Sequence, residues 1–232
     1  LEFFIIQEGD MWNTIRDILI QKAREGVEVR VLYDDIGSFL TLPRNYPAML
    51  ARDGIQCRIF NPFRPVLSSL QNNRDHRKLI IIDGETVFTG GFNLADEYIN
   101  AIEKFGYWKD CGMKLTGKAA WSQTLMFLQM WNLTCKTRED FSRFRCESKQ
   151  MENTVSDGLV QPYADSPLDA ENVGEHVYLQ MINNAKNYLY INTPYLIVDD
   201  SMVSALSLAA KSGVDVRIIT PHRWDKKLIH MT

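Results

Sequence analysis

Across 232 residues the chain carries 26 Lys and Arg against 29 Asp and Glu, a formal charge of −3, and 45% of its residues are hydrophobic. The apolar content excludes a disordered chain, and the near-balance of charge excludes nucleic-acid binding through a broad cationic field, so a polyanionic substrate must be met locally. Cys57, Cys111, Cys135 and Cys146 show neither Cys-x-x-Cys pairing nor zinc-like spacing and read as reduced thiols; no window reaches the ~20 consecutive apolar residues of a membrane span, and no signal-peptide pattern stands at the start.

Taken in chain order, Phe3 to Ile6 reads as a strand, and Thr14 to Leu32, TIRDILIQKAREGVEVRVL, reads as a helix, a stop and a second strand. The same succession returns at Ser201 to Ile219, SMVSALSLAAKSGVDVRII, without a gap at an offset of 187 residues from Thr14 to Ser201. Leu19 matches Leu206, Ala23 matches Ala210, Gly26 matches Gly213, and Val27, Val29 and Arg30 match Val214, Val216 and Arg217. In the second copy Asp199 or Asp200 caps the helix, Met202, Leu206, Ala209 and Ala210 form its apolar face, and Gly213 supplies a left-handed stop. Tyr188 to Thr193 is the preceding strand, the counterpart of Phe3 to Ile6. Strand, helix, strand is the crossover unit of a parallel or mixed sheet, so the repeat predicts a duplicated α/β fold.

Lys118 to Thr134 reads as a helix closing the first repeat, 136–165 is polar and weakly patterned like a linker, and Glu171 to Asn187 reads as a helix whose counterpart would precede Leu1. The expected organisation is a first repeat over 1–135 lacking its N-terminal end, a linker over 136–165, and the start of a second repeat over 166–232. By the same offset, the second counterpart of His76 falls near position 263.

Chemistry concentrates in Asp75 to Asn93, DHRKLIIIDGETVFTGGFN. Alternation predicts that His76, Lys78, Ile80 and Ile82 share one strand face. Asp83-Gly84 predicts a two-residue hairpin, Thr86 to Phe88 the returning strand, and Gly90-Gly91 a close backbone approach that brings Asn93 beside His76 and Lys78. An imidazole, an ammonium and an amide converging this way can hold and transfer a phosphoryl group without metal: the imidazole attacks phosphorus or protonates a leaving oxygen, and Lys78 and Asn93 hold non-bridging oxygens. His222 and His230 lack a lysine two residues on, and His176 lies on the surface of a predicted helix.

HRKLIIID followed by TGGFN resembles the His-x-Lys-x4-Asp motif and downstream Gly-x-Asn element of the phospholipase D superfamily, whose members bring two such motifs from two similar halves to one site. VLYDDIGS, TGGFNLADEYIN, FGYWKD, VQPYADSPLD and YINTPYLIVDD resemble the bacterial cardiolipin synthases in particular. The resemblance implies a phospholipase D-like duplicated α/β sandwich, a mixed sheet flanked by helices. It implies that His76 is one of two catalytic histidines, that Lys78 and Asn93 bind phosphate, that Asp83 is the motif aspartate, ordering the hairpin as readily as serving catalysis, and that Asp110 orients the histidine ring.

The activity implied is phosphatidyl transfer between two phosphatidylglycerol molecules through a phosphohistidine, giving cardiolipin and glycerol with no nucleotide, cofactor or metal. The implied setting is a bacterial cell membrane, with the catalytic part facing the cytoplasm and no nucleic-acid partner. Asn61 to Leu70, with Phe63, Arg64 and Leu67, is a candidate interfacial loop or an ordinary connection. The rival readings are a hydrolase of the same superfamily, phospholipase or nuclease, and a non-catalytic fragment.

Overall fold

A computed structural model describes residues 1–64, 71, 73–145, 158–165 and 170–223. The chain forms two compact units, Leu1–Pro162 and Tyr163–Thr232.

The first unit is built on a six-stranded mixed sheet. Its strands are β1 (Glu2–Phe3), β2 (Arg30–Asp34), β3 (Gln56–Phe60), β4 (Leu79–Ile82), β5 (Thr86–Gly90) and β6 (Gly112–Thr116), in the order β3-β2-β1-β4-β5-β6. β1, β2 and β3 are parallel, and β4 joins β1 antiparallel and opens the meander β4-β5-β6. The parallel half has helices in its connections: α1 (Asp10–Arg24) between β1 and β2, and α2 (Asp35–Ser38) and α3 (Tyr46–Arg52) between β2 and β3. α4 (Lys118–Cys135) follows the meander.

Every residue of β2 is buried, as a central parallel strand covered on both faces requires. Its alternation assigns the faces. Val31 and Tyr33 join Trp12, Tyr46, Leu50 and Phe3 in the larger core, with Ile15, Leu19 and Ala23 of α1 packed at helical spacing against it. Leu32, pointing the other way, joins Phe127, Leu128 and Trp131 of α4. α1 ends at Gly26, whose φ of 93° supplies the left-handed turn expected there.

The segment that reads as a linker begins, in the structure, as part of the first unit. Arg30 is 7% exposed at its side chain and reaches Glu139 with two guanidinium nitrogens, at 2.7 and 2.9 Å. It also pairs with Glu28 and lies over the rings of Trp131 and Phe144, 5.0 and 4.9 Å from their centroids. Phe141 and Phe144, from a 3-10 turn, pack on the α4 core. A polar composition concealed this anchor because its main partner, Arg30, is 109 residues away. Arg30→Ala is therefore expected to destabilise by about 2 kcal/mol, below the usual cost of breaking a buried pair because both glutamates keep part of their water. Urea unfolding checks this, and a variant as stable as the parent would show that the segment is not anchored through Arg30.

The second unit contains α5 (Val173–Asn184), β7 (Tyr188–Asn192), α6 (Asp200–Lys211) and β8 (Asp215–Ile219), with β7 and β8 parallel. Asp199 caps α6, its carboxylate accepting from Met202 N at 2.9 Å, and Gly213 ends it at φ 95°. Both copies of the repeat are thus a helix, a left-handed glycine and a parallel strand, and α1 and α6 end at equivalent positions, Arg24 and Lys211. The preceding strands are offset differently. Glu2 pairs with Leu32, whereas the residue paired with Ile219 is Asn192, so β1 sits three residues out of the ungapped alignment. The helices absorb the difference: α1 has 15 residues and α6 has 12. Among the described residues, no helix is long and apolar enough to cross a membrane.

Candidate active site

β1 is shorter than the sequence suggests because the chain leaves the sheet after Phe3 and is taken up by loops. Ile5 N donates to the side-chain oxygen of Asn93 at 3.0 Å, and Ile6 N donates to Ser38 Oγ at 3.1 Å. Leu94 N donates back to Ile5 O at 3.1 Å, and an isolated parallel bridge joins Ile6 to Leu94. This tie sets the site.

β4 begins at Leu79, so His76 and Lys78 lie just before the strand rather than on its regular face. They meet nonetheless. Lys78 Nζ stands 2.9 Å from His76 Nδ1 and 2.6 Å from the His76 carbonyl oxygen. An ammonium only donates, so in this contact Nδ1 is the acceptor. Phe4 backs both groups, with its ring centroid 4.7 Å from that of His76 and 5.6 Å from Lys78 Nζ. His76 is exposed, while Lys78 is 6% exposed, an ammonium held beneath an accessible imidazole.

Asn93 comes to the same stretch of chain from the other side. Buried to 4% exposure, it accepts from Ile5, the residue after Phe4, and donates its amide to Tyr98 Oη at 2.8 Å. Tyr98 is itself edge-on to Trp108 at 4.6 Å. His76, Lys78 and Asn93 thus converge on Phe4 and Ile5, with one amide hydrogen of Asn93 engaged by Tyr98 and its carbonyl by the backbone.

Asp83 does not join them. It sits at the far end of β4, exposed, at φ 54° beside Gly84 at φ 70°. Ile82 pairs with Thr86, so the hairpin loop has three residues, Asp83, Gly84 and Glu85, closed by Glu85 N donating to Ile82 O at 3.1 Å. The shorter hairpin expected from Asp-Gly gains a residue because the register pairs Ile82 with Thr86. Two consecutive positive φ values account for an aspartate followed by glycine on backbone grounds alone.

Asp110 is exposed, and its carboxylate accepts from Cys111 N at 2.8 Å and from Trp108 Nε1 at 3.1 Å. It lies against Gly91, where a side chain would collide with its Oδ1. Gly91 is needed here for the close approach of a carboxylate to the loop that carries Asn93. Phe63 of the candidate interfacial loop is 49% exposed and edge-on to Phe39 at 6.3 Å. Leu67 lies outside the described residues.

Sequence reading missed the buried carboxylates around the motif. Asp34 is fully buried at the end of β2 and accepts from Asp75 N at 3.0 Å, Gly37 N at 3.2 Å and Arg74 Nη1 at 3.3 Å. Burial raises its pKa above the ordinary carboxylate value despite these donors. Glu2 is also fully buried, and desolvation, followed by the neighbouring Asp75 carboxyl, pushes its pKa well up. Arg77, 3.5 Å from Glu2 Oε1, pulls the other way across a longer contact and does not win.

The Glu2 shift has a sign. A carboxyl whose pKa is raised on folding contributes stability that is complete below its unfolded pKa and lost as pH rises through the folded one. Within that window the loss is about 1.4 kcal/mol per pH unit. Glu2→Gln keeps a donor towards Asp75 and removes the proton, with Asp75 and Arg77 unchanged around it. The variant should gain on the parent as pH rises above the ordinary carboxylate value of 4.5. Thermal midpoints of both proteins, measured as pH rises from that value, test this, and a constant difference between them would refute the raised Glu2 pKa.

The chain matches the family described as cardiolipin synthase, PLD-like domain, at residues 5–103 and 178–231. The chain belongs to this family. It is 51% identical over 228 residues to an uncharacterized protein of Streptococcus mutans, covering 98% of this chain and 49% of that one. It is 41% identical over 230 residues to a cardiolipin synthase of Alkalihalophilus pseudofirmus, covering 99% of this chain and 45% of that one. The chain therefore spans about half the length of the curated relatives it matches. Among solved structures, a phosphatidylserine synthase of Haemophilus influenzae shares the fold at a TM-score of 0.64 and 16% identity, over 94% of this chain and 55% of that one. The expected phospholipase D-like α/β class with a mixed, helix-flanked sheet is thus the fold observed.

Proposed function

We propose that this chain is the part of a cardiolipin synthase that carries one of two phosphate-handling motifs, and that the whole enzyme transfers a phosphatidyl group between two phosphatidylglycerol molecules. The observation that carries the reading is the His76–Lys78 pair, an accessible imidazole in contact with a buried ammonium, in a chain of this family. The resemblance to this family supports a second His-x-Lys motif in the whole enzyme as the other half of the site.

A phosphodiester arriving at His76 offers Lys78 a better acceptor than Nδ1. Drawing the ammonium onto a non-bridging oxygen releases the ring; the unprotonated nitrogen of one histidine attacks phosphorus as the P–O bond to glycerol breaks, while the other, as imidazolium, gives its proton to the departing glycerol oxygen, and His76 fills one of these two roles. The remaining amide hydrogen of Asn93 and Lys78 hold the non-bridging oxygens through both steps. The phosphohistidine conserves the energy of the diester, and the hydroxyl of a second phosphatidylglycerol resolves it without a cofactor. Asp110 orients the ring once substrate has drawn Lys78 away. The enzyme works at a bacterial membrane surface from its cytoplasmic side.

The full-length protein, incubated with phosphatidylglycerol vesicles, is expected to release one glycerol for each cardiolipin formed. Phosphatidic acid in place of cardiolipin would establish a hydrolase instead. Cleavage of DNA with no turnover of lipid would establish a nuclease.

A further inference from the structure

We propose that Asp34 is a positioning residue for His76. Its buried carboxylate joins two segments that sequence keeps apart, its own turn at Gly37 and the residues just before His76. One oxygen holds Asp75 N, the backbone donor immediately before His76, and the other holds Gly37 N together with Arg74 Nη1. Arg74 in turn donates to Asn61 O at 3.0 Å and to Gln71 O at 2.8 Å, extending the brace along the loop that leads into the motif.

The second connection runs through Gly37. A side chain there would fall on the carbonyl oxygen of Phe4, so the turn that Asp34 closes lies directly against the Phe4 backbone. Ser38 in the same turn donates to Phe4 O at 3.2 Å. The Phe4 ring is the surface on which His76 rests. Asp34 therefore fixes the histidine twice, from its own backbone and from the platform behind its ring. Neither path touches substrate, so the effect is on aim, and small displacements of a reacting group are costly in rate.

Asp34→Asn is the discriminating variant. One carboxylate oxygen becomes an amide nitrogen, so whichever way the amide turns, a donor faces either Asp75 N or the Gly37 and Arg74 donors. In the full-length protein labelled with 15N-histidine, His76 is identified by the imidazole signals lost in His76→Gln. The Asp34→Asn variant is expected to shift or broaden those signals while His176 stays unchanged. On the proposed lipid exchange, kcat should fall about tenfold or more with KM within about twofold, in a protein that still unfolds cooperatively.

Unmoved His76 signals with kcat within twofold of the parent would overturn the assignment. If Asp34→Asn does not fold, Arg74→Gln removes one donor from the same carboxylate and should move the same signals less, with a two- to fivefold loss in kcat; signals that stay put there overturn it equally. A parent inert towards phosphatidylglycerol whose His76 signals still move on Asp34→Asn would refute the synthase reading and support the positioning role.

Discussion

Replacing His76 by alanine in the full-length enzyme is expected to lower glycerol release from phosphatidylglycerol at least about a thousandfold, since either chemical role assigned to the ring is lost outright. Asp83→Asn should retain measurable turnover. Asp83 occupies a left-handed turn position, exposed and separated from His76 by β4, and asparagine accepts that conformation as readily as aspartate. The ordering of the two variants is the informative result. A His76→Ala enzyme with near-normal turnover would remove the proposed site. Equal and complete loss in both would give Asp83 a chemical part despite its place at the far end of the strand.

Gly37→Ala carries the second large effect. The added methyl would meet the Phe4 carbonyl oxygen, which is backbone and cannot swing away like the end of a long side chain. Relief requires separating α2 from the Phe4 segment, breaking Ser38 Oγ from Phe4 O and straining the Asp34 brace. Overpacking of this kind costs about 3 kcal/mol. The rate should fall further than stability alone explains, because the displaced segment carries the platform under His76. Urea unfolding and glycerol release on the same preparation separate the two effects. Unchanged stability and turnover would mean that the contact is easily relaxed.

Local rules reached some of this architecture and not the rest, for a physical reason. His76 and Lys78 were legible because two-residue spacing brings side chains to one side even where the chain has not yet entered the strand. Gly26 and Gly213 were legible because a helix stop is a property of a few adjacent residues. Asp34, Glu2 and Phe4 were not, since each acquires its role from a partner 41 to 75 residues away, and nothing local distinguishes them from an ordinary strand end or core position. The hairpin at Asp83 falls between. Its residues announced the turn, while the cross-strand register decided its length. The three-residue difference between α1 and α6 was invisible to an alignment begun inside the helix.

The loop after Asn93 also settles which groups can answer an incoming phosphate's charge. Asp96 Oδ1 and Oδ2 accept from Met11 N and Asp10 N at 2.9 and 3.0 Å, placing a carboxylate on the opening turn of α1. Free amides at such a helix end would form an anion cradle, but here the protein fills it with its own anion. A phosphate at the proposed site therefore draws no help from these two amides of α1. On the proposed reaction that charge falls on discrete cations, Lys78 foremost, so phosphate affinity should track one ammonium, and an uncharged residue at 78 would find the Asp10 and Met11 amides already taken by Asp96.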